Sequence, residues 1–166
     1  MSNTEHDAAL TELSFTVSGY ISKPAEQTYE AVADPEQLSH YFTTGGAQGR
    51  LTSDTTVTWD FADFPGAFPV RVVEATPSKK IVIEWESGES AVEGAASNPG
   101  HTRVVFEFEP IDDNTRTLVT ITESSWTATA DGSKAAFGNC MGWSGMLAAL
   151  KVWIEHEINL REGFYK

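Results

Sequence analysis

Near the C-terminus five apolar residues, Trp143, Leu147, Leu150, Ile154 and Ile158, recur at spacings of four, three, four and four. That is the period of an α-helix carrying one apolar stripe over about four turns. The spacing predicts a helix from roughly Lys134 to Gly163, with Gly163 as its C-terminal stop. A stripe of that length must be buried against something. The preceding chain supplies a sheet. Leu13, Phe15, Val17, Gly19 and Ile21 alternate with Ser14, Thr16, Ser18, Tyr20 and Ser22, the period of a strand with one wet face. The same alternation places Val57, Trp59 and Phe61 on one face of 55–61, and Ile81, Ile83 and Trp85 on one face of 80–86. It places Val104, Phe106 and Phe108 inward in 103–109, and Val119 and Ile121 on one side of 115–122. The stretch 68–75 is less regular. Pro65-Gly66, Pro77-Ser78 and Asp112-Asp113-Asn114 mark the turns between these runs. Short successive strands with short turns predict an antiparallel meander.

Two helices separate the first strand from the rest. Pro24 and Glu26 suit a helix start, and Tyr29, Val32 and Ala33 give the helix at about 24–33 an apolar face. Asp34 can cap a second short helix that begins at Pro35, turns Leu38, Tyr41 and Phe42 inward and ends at Gly45-Gly46. Residues 1–11 are polar and aperiodic and are expected to fray, leaving 12–166 as a single domain. Ser87 to Gly100, rich in Gly, Ala and Ser, reads as the mobile loop.

Charge narrows the partners. Eleven Lys and Arg against 24 Asp and Glu leave a net charge of −13. Such a surface repels nucleic-acid backbones and anionic membranes, and no uncharged run is long enough for a membrane span. The acidic N-terminus has no apolar core of a signal peptide. The single cysteine, Cys140, cannot form an internal disulfide and fits a reducing, cytoplasmic setting. Cys140 and the four histidines show no zinc-finger spacing, so no metal is expected. No P-loop or G-x-G-x-x-G pattern exists, so no nucleotide cofactor is expected either.

The stretch Lys23-Pro24-Ala25-Glu26-Gln27-Thr28-Tyr29 through Asp34-Pro35-Glu36-Gln37-Leu38-Ser39-His40-Tyr41-Phe42 resembles the opening of the AHSA1 family, relatives of the C-terminal domain of the activator of Hsp90 ATPase. That family sits in the SRPBCC, or START-like, superfamily. Glu123-Ser124-Ser125-Trp126 followed by Gly142-Trp143, Leu147, Leu150 and Glu155 resembles its second signature. The resemblance spans about residues 13–162. Tyr41 stands where many relatives carry Trp, a change expected to alter pocket polarity by adding a hydroxyl. The resemblance implies an α+β helix-grip (Bet v 1-like) fold in β-α-α-β6-α order. A curved antiparallel sheet would wrap the long C-terminal helix and leave a hydrophobic cavity between them.

Small ligands favour concave, mostly apolar sites with a few polar groups. Trp59, Phe61, Trp85, Phe106, Phe108, Met141, Ser144, Leu147 and Lys151 are the expected ligand-binding residues. The aromatics among them are equally at home in a plain core. Trp143 reads as a cavity wall or as a packing anchor beside Gly142. Lys151 could offer an ammonium to an anionic ligand or reach out to water. Glu123, placed just past the last strand, reads as a pocket acid or as a cap on local backbone N–H groups. Cys140 reads as a small buried hydrophobe, and His40 as a residue near the pocket mouth. Ser144 is not in a G-x-S-x-G elbow, so no nucleophile is assigned and no catalytic residue is named.

Three functions follow in order. The first is binding of an apolar or aromatic small molecule, lipids included, in the cavity. The second, implied by the resemblance, is a co-chaperone or stress-response role toward an Hsp90-type chaperone through the outer surface. About a dozen residues precede the domain, so the separate N-terminal domain of the eukaryotic activators is not expected. The third, implied by other superfamily members, is a polyketide cyclase or dehydratase-like enzyme, which would need ionisable groups converging in the cavity.

Overall fold

The computed structural model of the protein describes residues 10–87 and 100–166. Strand β1 (Glu12–Ile21) is followed by helices α1 (Ala25–Ala33) and α2 (Pro35–Tyr41). Strands β2 (Gly46–Gln48), β3 (Thr55–Phe61), β4 (Phe64–Thr76), β5 (Lys80–Glu86), β6 (His101–Ile111) and β7 (Arg116–Thr127) come next, and helix α3 (Ala130–His156) closes the domain. The seven strands form one sheet in the order β1-β7-β6-β5-β4-β3-β2. Every neighbouring pair is antiparallel. This is the helix-grip order that the resemblance implies.

Local chemistry explains the elements. The Asp34 side chain accepts from the Glu36 backbone N–H at 3.0 Å, with Pro35 opening α2. Thr129 caps α3 by accepting from the Gly132 N–H at 3.0 Å. Register shifts at Leu13/Phe15, Trp59/Phe61 and Val72/Glu74 bend the sheet. Such irregularities increase twist and curvature, so the sheet can wrap around α3. β1 packs on α3 at Gly19, where a Cβ would make ordinary contact with Leu147 Cδ1 at 3.8 Å. Buried Val57, Val70, Val72, Ile81, Ile83, Val104 and Ile121 line the inner face.

Several expectations are corrected. α3 begins at Ala130 and ends at His156, not Gly163, because Glu157 adopts a left-handed conformation (φ 57°). Asn159 then accepts from the backbone N–H groups of Arg161 and Glu162, both at 3.1 Å, which favours a turn over a continued helix. Ile158 therefore leaves the apolar stripe and is 56% exposed. The β3–β4 turn lies at Ala62-Asp63, not Pro65-Gly66. Pro65 and Gly66 are inside β4, where the Asp60 side chain accepts from the Gly66 N–H at 3.2 Å. β7 runs five residues beyond Thr122, so Glu123 is inside the strand rather than past it. The Tyr41 hydroxyl donates to the Ala31 carbonyl at 2.8 Å within the core and does not change pocket polarity. Burial pushes that phenol well above its ordinary range. The expected frayed tail falls largely on residues 1–9, and the expected mobile loop on 88–99, both outside the described residues.

Candidate functional site

Space opens between the sheet and the first half of α3. The helix wall is stripped of side chains at Gly138 and Gly142, where an added Cβ would meet nothing within 4 Å. The hollow measures about 370 Å³. Phe61 and Phe64 of the β3–β4 hairpin, Phe42 after α2 and Trp85 of β5 form its sheet side. Asn139, Met141, Trp143 and Met146 line the helix side, and Arg161 and Tyr165 come from the returning C-terminal segment. Exposed Met141 (61%) and Phe64 (56%) are its least buried apolar lining residues.

Behind this wall lies a fully buried carboxylate, Glu123, with no exposed surface. The alternation of β7 carries it inward two residues after Ile121. Its Oε1 accepts from Trp85 Nε1 at 2.8 Å and from Thr102 Oγ1 at 2.6 Å. Its Oε2 accepts from Trp143 Nε1 at 2.8 Å. Asn139 Nδ2 lies 3.2 Å from both oxygens. Among the described residues no cation bonds it, and these hydrogen bonds offset the desolvation of the carboxylate. Glu123 thus binds side chains rather than capping backbone N–H groups. It fixes two indoles of the cavity wall, whose ring centroids are 5.2 Å apart. By contrast, Trp59 and Trp126 leave their Nε1 atoms buried without a partner among the described residues.

The C-terminal segment is latched. Arg161, with 8% of its side chain exposed, makes two bonds to Asp63 at 2.6 and 2.9 Å. Its guanidinium holds the Asp63 carboxyl below the usual aspartate range, chiefly through these hydrogen bonds. Arg161 also lies over the Tyr165 ring at 4.6 Å. The Tyr165 hydroxyl abuts Gly145 and is buried without a partner among the described residues.

The nine expected ligand residues divide into three groups. Phe61, Trp85 and Met141 line the hollow. Trp59, Phe106 and Phe108 are buried behind it, Phe106 edge-on to Trp143 at 5.3 Å and Phe108 edge-on to Tyr29 at 5.4 Å. Ser144, Leu147 and Lys151 face a separate groove against β1. There Lys151 donates to the Tyr20 carbonyl at 3.1 Å and pairs with Glu155 at 2.7 Å. His40 is not at the mouth of the hollow: it stacks on Trp153 at 4.5 Å beside a different, polar depression. Cys140 is half-buried rather than buried. Asn139, Arg161 and Tyr165 were not expected at the site. Asn139 had a signal, since it sits one helical turn before Trp143.

A curved antiparallel sheet gripping a long C-terminal helix, with a hollow between them, defines a helix-grip, Bet v 1-like protein. The chain belongs to the AHSA1 family, activator of Hsp90 ATPase homolog 1-like proteins, whose pattern matches residues 22–155. Protein SSP2350 from Staphylococcus saprophyticus superposes with a TM-score of 0.70 at 21% identity, covering 90% of this chain and 96% of that one. The Aha1 dimer from Colwellia psychrerythraea gives 0.66 at 22%, covering 87% and 97%. DynU16, from the dynemicin biosynthetic locus, gives 0.69 at 20%, covering 89% of this chain and 49% of its own. At these identities the likeness speaks for the fold alone. No curated protein matches the sequence significantly. Among the described residues, no helix is long and apolar enough to cross a membrane.

Proposed function

We propose that the protein binds an apolar, aromatic small molecule in the hollow beneath the first half of α3. One observation carries this reading: two indoles that line the hollow are keyed by their N–H groups to a single buried carboxylate, Glu123. A plain core needs no such fixed aromatic wall around space. Preorganised side chains lower the cost of ordering a ligand. Binding is favoured over catalysis because the charged groups at the site are already engaged, Arg161 by Asp63 and Glu123 by its donors. The cyclase-like alternative would draw on the likeness to DynU16, and the co-chaperone alternative on family membership.

The test is an amide NMR titration with lipids, sterols, flavonoids and aromatic polyketides, paired with thermal unfolding. A true ligand at 100 times its Kd adds about 2.7 kcal/mol of stability. Saturable shifts on residues 138–146 and on β5 are expected. Silence across the library from a folded sample would contradict the reading and direct attention to Hsp90 ATPase assays.

A further inference from the structure

The polar atoms of the hollow can be counted, and they point to a ligand chemistry. Both indole N–H groups, of Trp85 and Trp143, are taken by Glu123. Arg161 is held in a two-bond pair with Asp63. The Tyr165 hydroxyl is packed against Gly145, closed off from solvent. Asn139 remains. A carboxylate surrounded by indole N–H donors offers only acceptor oxygens, so the Asn139 amide must present its NH₂ side to Glu123. Amide orientation is ordinarily ambiguous between its oxygen and nitrogen, and here the neighbouring chemistry decides it. The carbonyl Oδ1 is therefore the free end of the amide. It has no partner among the described residues, and Asn139 lines the hollow.

We propose that this hollow selects a neutral aromatic molecule bearing a hydrogen-bond donor, such as a phenolic hydroxyl, which donates to Asn139 Oδ1. The inference rests on the binding reading above and names the ligand class of the same site. Neutrality follows from the surroundings. Glu123 is a buried carboxylate directly behind Asn139, and among the described residues the lining cation, Arg161, is already matched by Asp63. A carboxylate ligand would add a second negative charge with no free cation to meet it. A donor-free aromatic would leave Oδ1 dry and unpaired once water is expelled. Glu123 acts here as a positioning residue, fixing which end of the amide faces the ligand.

The experiment compares 2-naphthol, 2-methoxynaphthalene and 2-naphthoate by calorimetry against the intact protein. These share one ring system and differ only in the polar group. 2-Naphthol is expected to bind about tenfold tighter than its methyl ether, the equivalent of about 1.4 kcal/mol, and tighter than 2-naphthoate. Asn139→Leu is expected to bring the naphthol and ether within about twofold of each other. Glu123→Gln gives a second arm that nearly preserves shape. Its amide can accept or donate, so Asn139 is no longer held in one orientation, and the naphthol preference is expected to shrink. Equal binding of naphthol and ether to the wild type, or a preference that survives Asn139→Leu, would overturn this inference alone. Tighter binding of naphthoate would overturn it in favour of Arg161 as the anchor. If none of the three binds to folded protein, the ligand class and the aromatic-binding reading beneath it both fail.

Discussion

Glu123 has no exposed surface and gathers donors from β5, β6 and α3 around one carboxylate. Removing it strands those donors without acceptors in a dry site. Each buried polar group left unpaired costs about 1–3 kcal/mol. Glu123→Ala is accordingly expected to lower unfolding free energy by about 3 kcal/mol or more, read from the urea midpoint, while Glu123→Gln costs less. The Tyr165 hydroxyl presents the opposite case. It is buried without a partner among the described residues, so Tyr165→Phe removes an unsatisfied group and loses no bond described there. That variant should unfold within about 1 kcal/mol of the wild type, on the stabilised side. Glu123 shows how far the alternation could have been carried. Val119 and Ile121 were legible as inward residues, and two steps further the same period lands on Glu123. A charged residue at an inward position reads as the end of a strand, and β7 was cut short there. What satisfies the charge, two indoles, a hydroxyl and an amide from three different elements, is not a local pattern.

At the scale of elements, α3 determines the hollow by what it lacks. Gly138 and Gly142 remove side chains where the wall would otherwise be filled. Glycine in a helix interior costs about 1 kcal/mol relative to alanine. Gly142→Ala meets no atom within 4 Å and should raise stability by up to that amount. Gly142→Leu should weaken ligand binding at least tenfold in a titration while the fold persists, because its side chain intrudes on the hollow. The C-terminal latch makes a pH prediction. The folded-state pKa of Asp63 is depressed by Arg161, so the pair's stabilisation is present above the ordinary aspartate pKa and is lost as pH falls through the lower folded value. Asp63→Asn should therefore be less stable than wild type at pH 7, by about 2 kcal/mol. That difference should shrink progressively below about pH 4 in parallel urea titrations. The stripe Trp143, Leu147, Leu150 was legible from spacing alone. The helix end was not, because Asn159 and the Arg161–Asp63 pair act through a turn and a contact 98 residues apart.

For the whole molecule, the order of elements and the sheet-on-helix architecture were legible in the alternation, the proline-led helix starts with the Asp34 cap, and the family signatures. The hollow was not. Whether an inward aromatic fills space or lines it depends on its neighbours' volumes, which is why Phe106 and Phe108 are packed while Phe61 and Trp85 border the hollow. Five tryptophans, at 59, 85, 126, 143 and 153, report on that distinction independently. Only Trp85 and Trp143 both line the hollow and donate to Glu123. The most direct measurement is an indole ¹⁵N–¹H spectrum of tryptophan-labelled protein titrated with 2-naphthol and with the strongest library ligand. Saturable, matching shifts at the Trp85 and Trp143 indole signals, with Trp126 unmoved, are the predicted result. Binding that leaves those two signals in place and moves others, or no shift at all from a folded sample, would contradict a ligand site built on Glu123 and its paired indoles.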